Sequence, residues 1–363
     1  MAKANVTSDM FEPQVFLELV KALEPSRGLT LYNSVAKDET PYPYAQWNVT
    51  RGRTSTLAEF NVPNSKANVV GGPRGGEETR SEALAYFREG AYFSPTATLY
   101  LKDAEAGSES ALKSAEKIVA EQVATVNDRI NNRIEWALWQ AIQGNLSYTG
   151  ANTGAIAIDY GFKATHKPTL AVGDQWDNAS VSLDSLISNI RYMKQVVRKD
   201  SGVDANEVFL TGATMDLLIA AFTKASVGTD GRWALSDSQK DQYLKEGKIS
   251  GFVGIETWST IDQYYDEVAG DGTVTVKPYL PHGKVLMLNR AANGALKYVN
   301  GPSADFDAPQ GHIGRFAKNW TNEDPSGRAF LIEESGLPVL KAPDQFISAT
   351  VASTTWANAQ TWS

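Results

Sequence analysis

The sequence predicts an α+β protein organised around one long helix. Three features point there: an uninterrupted amphipathic stretch from Ser108 to Gly144, alternating short helices and strands after residue 155, and a turn-rich segment before the helix with little apolar content.

Taken in order, residues 1–48 read as an arm rather than a domain. A short helix is predicted from Pro13, carrying Val15, Phe16, Leu19, Val20 and Leu23, with Pro25 ending it. Tyr42, Tyr44 and Trp47 follow with little periodicity, so the segment is expected to dock on something else or stay loose. Residues 49–82 change character. Val49–Arg53, Leu57–Pro63 and Ala67–Val70 alternate like strands, Pro63–Lys66 is a turn, and the run Gly71–Gly76 breaks the pattern. A two-stranded hairpin this poor in apolar residues is marginal alone, so its stability is expected to come from another surface.

The long helix carries an apolar stripe of Leu112, Ala115, Val119, Val123, Val126, Ile130, Ile134, Ala137 and Ala141, in steps of three or four. Lys117, Glu121, Asp128 and Asn132 fall off that stripe. Ser108 is the predicted N-cap, Glu109 suits the helix dipole and Gly144 supplies the stop. At ~1.5 Å rise per residue such a helix is about 50 Å long, a spine along which other segments can pack.

Ala155–Tyr160 reads as a strand and residues 163–180 as a polar connection. A second amphipathic helix carries Leu183, Leu186, Ile187, Ile190, Met193 and Val197 on one face. Strand Glu207–Thr211, helix Thr214–Lys224, and strands at Phe252–Trp258, Thr273–Lys277 and Lys284–Leu288 complete an α+β lobe. Gly228–Gly247 is charged, with Trp233 and Leu235 its main apolar residues, and reads as a surface loop. Ile313–Val351 is the last folded stretch, and 352–363 is a polar tail bearing Trp356 and Trp362.

Length and composition bound the function. A chain of 363 residues suggests about two domains, and 42% hydrophobic content supports a substantial core. The absence of cysteine excludes disulfides, thiol catalysis and thiolate metal sites. The polar start Met1–Asp9 does not read as a secretory signal, and there is no apolar run long enough to cross a bilayer, so a soluble, cytosolic origin is expected. A net charge of −8 disfavours gripping nucleic acid by charge across the whole chain.

The chemical inventory is poor. His166, His282 and His312 are far apart in turn-like contexts, without the spacing of a zinc site. Gly247-Lys248 and Gly283-Lys284 both fail the phosphate-loop pattern, and no serine sits in a nucleophile elbow. The Gly71–Gly76 run with Arg74 reads as a hinge or tight turn. No catalytic, cofactor or metal residues are expected; the protein is read as structural and not an enzyme.

The C-terminal stretch narrows the class. Lys318-Asn319-Trp320-Thr321-Asn322-Glu323-Asp324-Pro325-Ser326-Gly327-Arg328, then Ser335-Gly336-Leu337-Pro338-Val339-Leu340 and Pro343-Asp344-Gln345-Phe346, resemble the closing signature of lambda-type tailed-phage major capsid proteins. Tyr279–Leu286, Arg133-Ile134-Glu135, Gly144 and Ile158-Asp159-Tyr160-Gly161 resemble that family's segments in the same order, collinear from about residue 105 to 351.

The resemblance implies the Hong Kong ninety-seven-like phage capsid fold. Its parts would be an N-terminal arm (1–48), an E-loop hairpin (49–82), a P-domain (83–162) with a spine helix at 108–143, an A-domain (163–312), P-domain return strands (313–351) and a C-terminal tail (352–363). It also implies a coat protein that self-assembles into hexamers and pentamers of an icosahedral head. The head would enclose double-stranded DNA contacted without sequence specificity, with scaffold, portal and decoration proteins as partners and no membrane. The expected location is the virion, after assembly in the host bacterial cytoplasm.

Within that frame the basic residues Arg51, Arg53, Lys66 and Arg74 are expected to lie across a neighbour's acidic helix start, at Glu105, Glu109, Glu116 and Glu121. Rival readings are an encapsulin-like compartment shell and a soluble carbohydrate-binding protein or hydrolase using the nine tryptophans.

Overall fold

A computed structural model describes residues 16, 18, 20, 29–52, 77–93, 96, 99–100, 102–103, 109–150, 153–178, 180–225, 235–268, 272–289, 294–323 and 327–353. The expected hairpin tip at 53–76, the helix cap Ser108, Trp233 and the tail tryptophans lie outside them.

Helix α1 (Thr30–Ser34) and strands β1 (Ala36–Glu39) and β2 (Tyr44–Thr50) come first. Strands β3 (Glu77–Ala83) and β4 (Ala85–Tyr92) precede the long helix α2 (Glu109–Ile142). Strands β5 (Asn145–Gly150) and β6 (Thr153–Asp159) lead to α3 (Leu183–Ser201), β7 (Glu207–Leu210), α4 (Gly212–Ala225) and α5 (Asp237–Glu246). Six strands follow: β8 (Lys248–Phe252), β9 (Ile255–Thr260), β10 (Tyr264–Val268), β11 (Val274–Pro278), β12 (Lys284–Leu288) and β13 (Leu296–Asn300). The chain closes with β14 (Phe316–Asn322), β15 (Gly327–Leu340) and β16 (Phe346–Thr350).

These elements divide into two compact units. The first comprises Met1–Gln46, Ser81–Leu138 and Lys297–Val339, and the second Trp47–Arg80, Trp139–Leu296 and Leu340–Ser363.

The first unit is built on α2 and a sheet in the order β1-β13-β15-β14, with β4 also paired to β15. The helix forms where the periodicity predicts it, and its stripe from Ala115 through Val119, Val123, Val126, Ile130 and Ile134 is buried. Fully burying each such Val or Ile side chain is worth about 1.5–3 kcal/mol, which outweighs the modest helix propensity of β-branched residues. Beside that stripe runs a polar row, Asn127, Asn131 and Glu135, also buried. β15 is antiparallel both to β14, with Ala329 opposite Trp320, and to β4, with Ala329 opposite Tyr92.

The second unit centres on a sheet in the order β16-β12-β7-β9-β8. Its core joins Leu186, Ile190, Met193 and Val197 of α3 to Met215, Leu218 and Phe222 of α4, with Val208, Trp258, Met287 and Ile347 from the sheet. β7 and β9 are parallel, whereas β12 is antiparallel to β7. Two-stranded ribbons β5-β6 and β10-β11 also belong to the unit, and β2 pairs with β3 in a third ribbon.

Several expectations change. The arm is not loose where it is described: β1 joins the first unit's sheet parallel to β13. Ala45, Trp47 and Val49 alternate inward along β2, each buried. Edge hydrogen bonds and inward alternation supply the support that the local sequence lacks. The charged stretch read as a loop contains α5, started by a reciprocal capping box between Ser236 and Gln239. None of its ten residues is fully buried, and only Tyr243 packs partly on the core, which is why no core pattern marks them. The strand expected at Phe252–Trp258 starts at Ile255, as β9; Phe252 ends β8 and faces Ile255 across a hairpin turn at Val253 (φ 50°) and Gly254 (φ 73°). The polar connection at 163–180 buries both His166 and Trp176. Residues 313–351 do not stay together, because β16 pairs with β12 in the second unit.

Candidate assembly surfaces

In the second unit, the two roots of the 53–76 excursion converge on one loop. Arg51 donates to the Gly161 carbonyl at 2.8 Å and approaches Glu78 at 3.6 Å, while Arg80 reaches the Asp159 carbonyl and Glu78. Gly161 (φ 71°) sits so close to both guanidinium groups that a Cβ there would overlap them. The left-handed backbone there favours glycine.

Next to that loop, Lys163 Nζ lies 2.9 Å from Asp200 and 3.2 Å from Asp344, and Asp344 also accepts the Gly52 backbone N–H at 3.1 Å. His166 Nδ1 faces the Phe346 carbonyl at 2.6 Å and its Nε2 faces Asp200 at 3.1 Å. Burial opposes the Lys163 ammonium, but Asp200 and Asp344 outweigh it and hold its pKa above the ordinary value. Burial likewise opposes the Asp200 carboxylate, and its hydrogen bonds to Lys163 and His166 hold its pKa below the ordinary value. His166, Asp200 and Asp344 have the spacing of a metal-ligand set, yet the Lys163 ammonium already occupies the place of the cation. A divalent ion would have to displace it, so the cluster is read as a structural ion network.

In the first unit, one face of the β4-β15-β14 sheet carries a polar cluster around buried Glu333, which accepts from Tyr86 and Ser303. Asp305 joins it through Lys318 at 2.7 Å and Arg88 at 3.3 Å. Burial first, then the bond to Glu333, pushes the Tyr86 phenol far above its ordinary pKa, so it stays a donor. Around this cluster the same face leaves Tyr92 and Trp320 exposed on either side of Ala329, and Phe306, which follows Asp305 in the chain, is fully exposed. Exposed aromatic rings grouped with paired charges are the composition of a recognition surface rather than of a reactive cleft.

The expected contact residues fare differently. Arg51 is engaged within its own chain, as above. Glu116 and Glu121 are exposed on α2, with Lys117 3.8 Å from Glu121, and Glu109 begins the helix. Arg53, Lys66, Arg74 and Glu105 lie outside the described residues. Sequence reading missed the Lys163–Asp200–Asp344 network because its members are far apart along the chain, and no local pattern joins them. It also missed β10, whose Tyr264–Val268 does not alternate, although Gly270 and Gly272 mark a turn before the strand it did identify.

Solved structures share this architecture. A crystal structure described as a prophage capsid protein of Escherichia coli CFT073 matches with a TM-score of 0.61 at 15% identity, covering 93% of this chain and 98% of that one. A phage-related protein from Bordetella bronchiseptica RB50 matches at a TM-score of 0.56 and 11% identity, over 95% and 99% of the two chains. The fold is therefore of the phage-capsid class. The sequence is more specific: residues 30–351 match the family model for phage major capsid protein E, and the chain belongs to that family. The major capsid protein of Escherichia phage lambda is 25% identical over 221 residues, 60% of this chain and 62% of that protein's length.

Proposed function

We propose that this chain is the coat subunit of a tailed-phage head, a non-enzymatic protein whose copies form pentamers and hexamers that close into an icosahedral shell around double-stranded DNA. The observation that carries the reading is family membership over residues 30–351. Exposed aromatic residues on a sheet face and an acidic chain that does not bind nucleic acid by bulk charge agree with it. The arm, E-loop, P-domain and A-domain expected from sequence belong to the same proposal, with β16 assigned to the second unit instead of the P-domain return strands, as do scaffold, portal and decoration partners, location in the virion, and assembly in the host cytoplasm.

The contact between a basic E-loop and an acidic neighbouring helix is carried forward without Arg51. Its members are Arg53, Lys66 and Arg74 on one copy and Glu105, Glu109, Glu116 and Glu121 on the next. Negative-stain microscopy and mass photometry of the purified chain test the function directly. Capsomers, tubes or shells are expected; a chain that stays monomeric under all assembly conditions refutes it.

A further inference from the structure

The ribbon β10-β11 has an unusual distribution of side chains. Its register sets Tyr264 opposite Pro278, Asp266 opposite Val276, and Val268 opposite Val274. Directly opposed residues share a face, so one face carries Tyr264, three valines and Asp266. That apolar face is in solvent: Val268, Val274 and Val276 are 62%, 57% and 63% exposed. The other face holds Tyr265, packed on Tyr279, and the Glu267–Lys277 ion pair. An amphipathic ribbon normally turns its apolar face inward; here both faces are exposed, the apolar one included. Exposure of this kind marks a surface that another molecule covers.

A surface of opposite character lies on α3. Its inner side buries Leu186, Ile190, Met193 and Val197, and its outer row runs Arg191, Tyr192, Gln195, Arg198 and Lys199, with Tyr192 50% exposed. Arg198 is tied to Asp204 at 3.4 Å; among the described residues no ion pair engages Arg191, Lys199 or Asp266.

The sheet topology separates the two surfaces. The ribbon lies between the end of β9 and the start of β12, and β7, β9 and β12 run so that those two points share one end of the sheet. The last turn of α3 feeds through residues 202–206 into the start of β7, which is the other end. A subunit with an acidic, apolar projection at one end and a basic row with an exposed aromatic ring reaching the other can be joined head to tail. Contacts of that heterologous type close into rings when the rotation between copies allows.

We infer that the outward face of β10-β11 docks on the outer row of α3 in a second copy of this chain, with Asp266 against Arg191 and Lys199 and the valines against Tyr192. The inference rests on the reading that copies assemble, and goes beyond it by naming the contact. A symmetric alternative, ribbon on ribbon, would bring two Asp266 carboxylates together in an apolar contact without a counter-charge, which is unfavourable.

Charge reversal tests it. Asp266→Lys, and separately the double variant Arg191→Glu/Lys199→Glu, are each expected to raise the concentration needed for assembly by about tenfold. The three changes combined in one chain are expected to recover most of that loss, with circular dichroism melts unchanged throughout. Because the protein has no cysteine, a chain bearing Val276→Cys and a chain bearing Tyr192→Cys can be mixed and joined by a short bismaleimide. Cross-linked pairs are expected from the mixture and not from either chain alone. Reversals that leave assembly unchanged, a combination no better than its parts, or cross-linking of Val276→Cys chains to each other would each overturn the contact. If the unmodified chain forms no oligomers, both the contact and the coat function fail; if it assembles and the reversals are silent, the contact alone fails.

Discussion

Glu135 is fully buried, and its carboxylate accepts the backbone N–H groups of Leu31 at 3.0 Å and Tyr32 at 2.6 Å. It acts as a cap supplied from a distant helix to α1, which has no cap of its own. Glu135→Ala would strand both donors, and a loss of about 2–4 kcal/mol is expected, read as a lower urea midpoint. The sequence reading used this residue only as part of a family resemblance, because a carboxylate on a helix face does not announce which backbone it will meet. The Lys163–Asp200 pair makes a second prediction at this scale. Asp200 has a lowered pKa, so its contribution is complete above the unfolded value near ~3.9 and disappears as pH falls through the lower folded value. Lys163 is raised, so its contribution is present below ~10.4 and is lost only as pH rises through the still higher folded value. An acid titration of Asp200→Asn should therefore show a smaller loss of stability below about pH 4 than the unmodified chain. Equal acid limbs would contradict the role given to the pair.

At the scale of the element, patterns local in sequence were legible and those needing a partner were not. The long helix was read to within a residue at each end, since its stripe repeats over many turns and Gly144 (φ 96°) stops it. At that glycine a Cβ would lie 2.6 Å from Lys167 Cε and 2.9 Å from Phe162 Cγ, so the stop is enforced by packing as well as by backbone. Helix α5 is the converse case. Its capping box, Ser236 with Gln239, is visible in the sequence, but a short helix without buried residues has no stripe to find. Ser236→Ala is expected to weaken α5 by about 1 kcal/mol, seen as faster amide exchange over Gln239–Tyr243 with little change in the global melt. The strand expected at Phe252–Trp258 runs through the β8-β9 turn because valine at a positive φ is unexpected, and only the register with Ile255 reveals the turn.

For the whole molecule, assembly and stability are linked. Copies that bind one another in the native state and not in the unfolded one stabilise it by mass action. The melting temperature of the purified chain is therefore expected to rise with protein concentration under assembly conditions, and in Asp266→Lys to begin rising only at about tenfold higher concentration. Differential scanning fluorimetry over a hundredfold concentration series would read this; a concentration-independent midpoint would oppose an assembling subunit.

The α+β class, the position of the spine helix, the main helices and strands of the second unit, and the family are all written in local periodicity or in ordered motifs, and the amino-acid order alone carries them. Only the tertiary structure decided that residues 29–50 are built into their own chain, that β16 belongs beside β12, and that Lys163, Asp200 and Asp344 form one network. Those outcomes depend on which distant strand edge or buried charge can satisfy a given backbone group or ion. That choice is made by three-dimensional proximity, and a linear pattern does not encode it.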